Sequence, residues 1–520
     1  MDRLSRLIRS PWFGAAALCA LVLLAYYNVL HGDFLYDDEF LIQRNRFLQS
    51  WSNIADILTS SSTGGAGQID SFYRPMQGLL YLFVYQWIGP ETWGFHALNV
   101  LVHMCNAVLV FKLGRRLRLN SLGSWLAAAV WAVHPVHTEA VSYISATADS
   151  LYTLACLTGV YVILPDFTAR KIFSACAILV LGLISKESAI VLAALAPVVF
   201  FYASEERLQW KAYLRFWPLW TVALFYLIAR KTLLNFNDSF AFYKTANLYT
   251  EHISIRIYTF LATIPSYISV FFWPVHLHMD RSFSIFTELW YGPSLLGGVI
   301  LTVALAVVIY SREKRLLPAA FAVLWFLAAH APHMGVLLPV NSLFLEHWLY
   351  LPSIGALLMG FNWLAGVTIP RGWSAGLTVA VLALVGTEVY ATHEQNLVWQ
   401  NPIVFYRNIL AFEPVGSARV HNNLAMALSG PAHAEAIEHY KKAIAIDDHY
   451  PQTHHNLAML LLLDGNTDEA IREFKRAIEL NAGFFYSYKM LSEIYRRSGD
   501  QAQAEFYDKQ FELMKNKFGQ

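Results

Sequence analysis

Charge is scarce in this chain. Of its 520 residues 14% are charged and 56% hydrophobic, against about 25% charged in an ordinary soluble domain. The shortage is uneven. Residues 1–390 hold nearly all the long apolar runs, while 391–520 have the composition of a soluble helical domain, so two domains meeting there are expected. The net charge of +1 says nothing of partners, and no basic tract suggests a nucleic-acid partner.

Cysteine is scarce too. Cys19, Cys105, Cys156 and Cys176 all lie in apolar segments and the tail has none, so no disulfide framework is indicated. Phosphate-loop patterns are missing: there is neither G-x-x-x-x-G-K-[ST] nor G-x-G-x-x-G, and a soluble nucleotide donor is unsupported. A G-x-S-x-G nucleophile elbow is missing as well. These absences leave a donor embedded in the bilayer.

What the sequence has in quantity is apolar runs. Crossing the hydrocarbon takes about 20 residues, fewer where a bundle thins. Runs near 13–30, 94–111, 122–134, 147–164, 171–185, 188–203, 212–230, 293–310, 317–333, 344–364 and 373–390 predict eleven spans of an all-α, polytopic membrane bundle. Arg3, Arg6 and Arg9 precede the first run, which is long for a signal peptide and reads as a retained helix. Basic residues set the sidedness. Lys112, Arg115, Arg116 and Arg118, Arg170 and Lys171, Arg207 and Lys211, and Arg312, Lys314 and Arg315 are all cytoplasmic if 72–89 and 255–275 do not cross. The polar residues of 72–89 suit an interfacial helix, and 255–275 contains Pro265 and Pro274. The loops 31–93, 134–146, 231–292 and 334–343 then share the non-cytoplasmic side with the tail. The sequon Asn237–Ser239 falls in one of them.

The tail repeats itself. His421-Asn422-Asn423-Leu424-Ala425-Met426 returns as His455-Asn456-Leu457-Ala458-Met459, and Ala436, Ile437, Tyr440 and Ala443 return as Ala470, Ile471, Phe474 and Ala477. Leu491, Gly499, Ala504 and Tyr507 mark a third copy. A two-helix period of about 34 residues is the tetratricopeptide signature, and predicts an α-solenoid. Stacked pairs make a groove suited to extended peptide, or else a spacer.

Ionisable groups at a bundle are costly and are functional candidates. Asp37, Asp38 and Glu39 follow the first span, flanked by Phe34, Tyr36 and Phe40. Adjacent carboxylates point apart on a regular backbone, so Asp37 and Asp38 are unlikely to share one job. Arg74 opens the interfacial segment, where it snorkels to lipid or grips a phosphate. His134, His137 and Glu139 follow the third span; a zinc site there lacks a third ligand, and imidazoles bonded to a phosphate or acceptor fit better. Lys186 lies at an outer boundary, where it either pairs with its neighbour Glu187 or contacts a phosphate. His276, His278, Asp280 and Arg281 form another outer cluster, and Glu346 starts the tenth span.

In order along the chain, FLYDDEFLIQRN (34–45), Tyr73–Pro75 with GFHALNVLVH (94–103), Val133–Val141, Ser185–Glu187, Trp273–Asp280, EHWLYLPS (346–353), Asn396 and Trp399 resemble the transmembrane, tetratricopeptide-bearing protein O-mannosyltransferases. These belong to the multi-span GT-C glycosyltransferases that use polyprenyl-phosphate sugars. His347 stands where members often carry arginine, and the short tail looks like that of a bacterial member. The resemblance implies transfer of a sugar, mannose in the first instance, from a polyprenyl-phosphate carrier to Ser/Thr hydroxyls by a single inverting displacement. It implies Asp37 as base, with Asp38 as its support or a metal ligand. Arg74, His137 and Lys186 become donor-phosphate contacts, with Glu39, His134, Glu139, Asp280, Arg281 and Glu346 as additional candidates. No cofactor is required, though a divalent cation on the acidic loop is compatible with the chemistry. The expected partners are the lipid-linked donor, membrane lipid and a peptide acceptor held by the repeats. The tail is expected in the periplasm of a bacterial inner membrane, or in the lumen of the endoplasmic reticulum in a eukaryote. Three rivals are a same-fold enzyme acting on lipid or glycan, a transporter, and a non-catalytic scaffold.

Overall fold

A computed structural model describes residues 10–67, 72–232, 247–340, 342–367 and 374–518. Arg3, Arg6, Arg9 and the sequon Asn237–Ser239 lie outside the described residues. The described residues are helical throughout, with turns and loops but no strand. They divide into two compact units, Met1–Gln400 and Asn401–Gln520. The division falls after residue 390 because the helix Ser374–Val398 runs on past its apolar stretch.

Each apolar run becomes a helix, because a chain in lipid must satisfy its backbone N–H and C=O groups internally. Among the described residues six helices are long and apolar enough to cross a membrane: Trp12–His31, Thr92–Arg116, Ile144–Ile163, Trp210–Thr232, Ile253–Phe272 and Gly292–Arg312. Ile253–Phe272, which covers most of the 255–275 segment, is among them by length and composition. Pro265 sits within that helix without ending it. Shorter apolar helices such as Ser121–Val133 and Ser353–Gly366 complete the bundle. This is a membrane protein.

Small residues set the closest approaches. A Cβ on Gly297 would lie 1.8 Å from the backbone oxygen of Leu261, so the helices Gly292–Ile309 and Ile253–Phe272 cross nearly backbone to backbone. Such crossings let dispersion and buried hydrogen bonds hold helices where lipid is as apolar as leucine. One buried polar knot ties the last bundle helix to the first. Asn396 donates to the Ala25 carbonyl and to Asn28 Oδ1, both at 2.9 Å, and accepts from Ser142 Oγ at 2.7 Å.

The first loop carries the helix Pro75–Ile88, which buries Gln77, Tyr81, Leu82 and Val84. Its other face exposes Phe83 and Trp87, and Trp51, Ile54 and Leu58 are exposed nearby in sequence and space. Trp51 and Phe83 meet edge to face, and Phe83 packs beside Trp87. This is the amphipathic pattern of a helix in the interface.

In the second unit three helix pairs follow the helix Pro402–Phe412. They are Ala418–Leu428 with His433–Ile446, Pro451–Leu463 with Thr467–Leu480, and Phe485–Arg497 with Gln501–Phe518. The small residues of the repeat, Ala425, Ala436, Ala458, Ala470, Ala477 and Ala504, are fully buried. They meet the large Leu424, Tyr440, Leu457, Phe474 and Leu491, also buried. Replacing Ala470 with leucine should therefore overpack the second pair and destabilise this unit by about 1–3 kcal/mol. Amide hydrogen exchange across Pro451–Leu480 would rise; unchanged protection there would contradict the packing.

Candidate functional site

The two adjacent aspartates have opposite fates. A left-handed residue, Tyr36 with φ of +52°, turns the chain just before them. Asp37 is exposed, while Asp38 is 1% exposed. Asp38 Oδ2 accepts the Leu35 backbone N–H at 2.9 Å, and Oδ1 accepts the Ser145 N–H at 2.9 Å and its hydroxyl as well. Burial raises the Asp38 carboxyl from an ordinary 3.8 to about 7, against the pull of the Ser145 and Leu35 donors and with a push from the Asp37 charge. Asp37 itself is held through its backbone, whose N–H donates to Tyr143 Oη at 3.1 Å. Tyr143 in turn stacks on Trp399, with ring centres 5.7 Å apart. Glu39 faces away into an ion pair with Arg44.

Arg74 and Lys186, far apart in sequence, come together. Lys186 does not pair with its neighbour Glu187. Its Nζ donates to both oxygens of Asp149, at 2.7 and 2.8 Å, with both side chains buried. Glu187 instead lies 3.6 Å from Arg74 and 3.8 Å from Arg230. Electrostatic coupling links the groups: Asp149 feels Lys186, His347 and Arg74. Tyr81 connects this cluster to the acidic loop, lying within range of both Asp38 and Arg74. A buried carboxylate or cation is tolerated only when paired and hydrogen-bonded, and here the pairing gathers several cations beside the loop of Asp37.

Two further pairs adjoin it. The His347 N–H donates to Glu139 Oε2 at 2.9 Å. His347 Nδ1 is 2.8 Å from Glu139 Oε1, but neither atom has hydrogen-bond geometry, so this contact is electrostatic. Glu346 accepts from Arg281 at 2.8 Å and from the His278 N–H at 3.0 Å. Asp280, in a left-handed conformation, precedes that arginine.

The two histidines behave otherwise. His134 stacks on Phe271 and bonds its carbonyl through Nε2 at 2.9 Å. His137 is fully buried among Trp131, His134 and Tyr350, and neither ring nitrogen has a hydrogen-bond partner among the described residues. His134 and His103 act on it electrostatically. The structure thus brings Arg74 and Lys186 together and sets His137 in an aromatic box. A cavity beneath Arg74, lined by Asn45, Ser61, Gln77 and Tyr81, measures about 20 Å³, room for a single water.

A tetratricopeptide-repeat family model matches residues 432–505. A protein O-mannosyl-transferase of Caenorhabditis elegans is 26% identical over 454 residues, covering 84% of this chain and 63% of that protein. The chain is similar to protein O-mannosyl-transferases. One from Drosophila melanogaster is 34% identical over 140 residues, 26% of this chain and 16% of that protein. The chain therefore spans less than two thirds of the length of these relatives. Among solved structures, ArnT from Cupriavidus metallidurans in the apo state aligns over 92% of this chain and 80% of its own, with 16% identity and a TM-score of 0.41.

Sequence reasoning passed over Asp149, Arg230 and Ser145. The signal was present: Asp149 is an acid inside the run 147–164, and Arg230 ends the run 212–230. Among the described residues no group of three or more His, Cys, Asp or Glu side chains is arranged to hold a metal. Each oxygen of Asp38 accepts a backbone N–H.

The raised Asp38 carboxyl makes a prediction. Between an unfolded pKa near 4 and a folded one of about 7 the native loop binds more protons than the unfolded chain, so its anchorage weakens as pH rises through that window. Proteolysis of the segment 34–67 should be faster at pH 8 than at pH 5, relative to a reference peptide. Asp38→Asn, neutral throughout, should flatten the difference, and a variant that kept the wild-type profile would assign it to another group.

Proposed function

We propose that this protein transfers a sugar, mannose in the first instance, from a polyprenyl-phosphate carrier to Ser/Thr hydroxyls of protein acceptors. The observation that carries the reading is that Arg74 and Lys186 both act on Glu187, while Tyr81 lies within range of Arg74 and of Asp38, the neighbour of the exposed Asp37. The names of the relatives support the same reading.

The chemistry needs little more. A sugar on a lipid phosphate has a good leaving group, and its departure requires cations placed where phosphate charge develops. Arg74 and Lys186 fill that role. Asp37 takes the proton of the acceptor hydroxyl. Asp38, closed in by Leu35 and Ser145, fixes the loop rather than reacting. One displacement inverts the anomeric centre. His347, Glu139, Arg281 and Glu346 hold the surrounding loops by their mutual pairing.

The reaction takes place at the non-cytoplasmic face, where the acidic loop and the Lys186 turn lie if the basic loops are cytoplasmic. A bacterial inner membrane with the repeats in the periplasm fits this sidedness. The repeats hold the acceptor peptide in their groove. The same donor site would serve a lipid or glycan acceptor, and the repeats favour protein.

Asp37→Asn should lower transfer of labelled mannose from polyprenyl-phosphate mannose to a Ser/Thr-rich peptide by about 10²-fold or more. Membrane yield and melting behaviour should stay at wild-type values. Full turnover by the variant would remove Asp37 as the base. Label appearing on lipid acceptors and not on peptide would move the proposal to a lipid-modifying enzyme.

A further inference from the structure

The end of the bundle far from Lys186 holds a second group of cations. The helix Ala169–Leu183 separates the two ends, its 15 residues rising about 22 Å. Arg170 stands in its first turn and Lys186 just past its last. Two loops meet at the Arg170 end. Phe167, before that helix, packs edge to face on Phe200 and Phe216, with ring centres 5.1 and 6.3 Å away. Phe200 also meets Tyr213, and the Tyr213 hydroxyl donates to the Arg207 carbonyl at 2.8 Å. The loop 204–216 is thereby fixed to the bundle.

The helical part of this loop, Trp210–Phe216, is a 3-10 helix, in which residues three apart share a face. Tyr213 and Phe216 face inward. Lys211, Leu214 and Trp217 form the outer row, and all three are exposed. Trp210 is exposed as well, and Lys211 Nζ stands 5.9 Å from its ring centre. A stretch long and apolar enough to cross a membrane, Trp210–Thr232, begins here. The row therefore lies where hydrocarbon gives way to water, the depth that tryptophan favours.

The cations at this end are of two kinds. Arg215 is spent on Glu206 and on the Ala212 carbonyl, with its guanidinium over the Phe200 ring, and Lys171 is spent on Asp166. Arg207, Lys211 and Arg170 have no ion-pair partner among the described residues, and Glu205 is an exposed acid likewise left over, so unpaired cations outnumber it. Arg207 Nε is buried without a hydrogen-bond partner. A merely solvated basic face would keep that N–H in water, because burying it unpaired is costly.

We propose that Arg207 and Lys211, joined by Arg170 of the neighbouring loop, bind the headgroup phosphate of an anionic phospholipid. Leu214, Trp210 and Trp217 flank its glycerol and upper acyl chains. Arg207 offers a planar fork that matches phosphate oxygens, and Lys211 adds a point charge beside it. A zwitterionic headgroup brings its own ammonium, which these cations repel. This site shares no residue with the sugar-transfer reading and stands apart from it.

Native mass spectrometry of the full-length protein, released from detergent with either phosphatidylglycerol or phosphatidylcholine of the same acyl chains, tests this. The wild-type protein should bind the first phosphatidylglycerol at least about ten-fold more tightly than phosphatidylcholine. Lys211→Gln and Arg207→Gln should each weaken phosphatidylglycerol binding by about five-fold, the effect of one cation at a membrane surface. Lys211 is exposed, so its variant serves even if Arg207→Gln fails to fold. Arg207→Lys, which keeps the charge and loses the fork, should also bind more weakly than wild type. Equal wild-type affinity for the two lipids, or phosphatidylglycerol binding unchanged in Lys211→Gln, would overturn the proposal. Wild-type binding by Arg207→Lys would overturn it too, since a diffuse positive field and not a built site would then attract the lipid.

Discussion

A charge removed from water must be repaid at close range, and that constraint organises the interior of the bundle. Asp149, Lys186, Glu187, Arg74, Arg230, Glu139 and His347 come from segments widely separated in sequence, yet each has an oppositely charged group within 4 Å. Breaking a buried pair by removing one partner is strongly destabilising, while replacing both by apolar groups is often neutral. Stability alone therefore gives little reason to build such a cluster. A ligand that brings its own charge does, because the site must then offer cations already desolvated and already placed.

The acidic loop solves a different problem with the same means. Two neighbouring carboxylates would repel each other if both faced the site. The left-handed Tyr36 and the buried Ser145 turn Asp38 inward, where protein donors occupy both its oxygens. Asp37 stays outside, its backbone pinned by Tyr143, whose ring rests on Trp399. Asn396, one helical turn before Trp399, anchors that helix to the first. The exposed aspartate is thus supported by residues from the third loop and from the end of the bundle, which gives the order of short motifs along the chain a physical meaning.

The apolar runs were legible because lipid imposes one solution on them, and every run became a helix. The repeats were legible because alternating small and large residues recur at one period. Arg74 and Lys186 stood out as cations beside spans. Their partners did not: Asp149 and Arg230 each lie within a hydrophobic run, where a single charge is easily averaged away by a window of about 19 residues. Lys186 bonds Asp149 and not its neighbour Glu187, because adjacency along a chain is not adjacency across a bundle. The ring of His137 packs against Trp131 and Tyr350, a placement that its residue type alone does not announce. For 255–275, proline counted as a breaker, yet Pro265 is accommodated inside a continuous helix. Membrane helices tolerate this when neighbouring groups satisfy the freed carbonyl.

The two units thus encode structure in different currencies. In the tail, specificity is steric. Ala458, Ala470 and Ala477 admit their large neighbours, and the ion pairs are mostly solvent-facing, such as Arg407–Glu435 and Lys441–Glu469. Exposed pairs of that kind contribute about 0–1 kcal/mol each, so the surface can vary while the stack persists. In the bundle the buried charges fix one another's positions, and altering one disturbs several. A domain of the first kind is suited to changing its partner, and one of the second kind to keeping its chemistry.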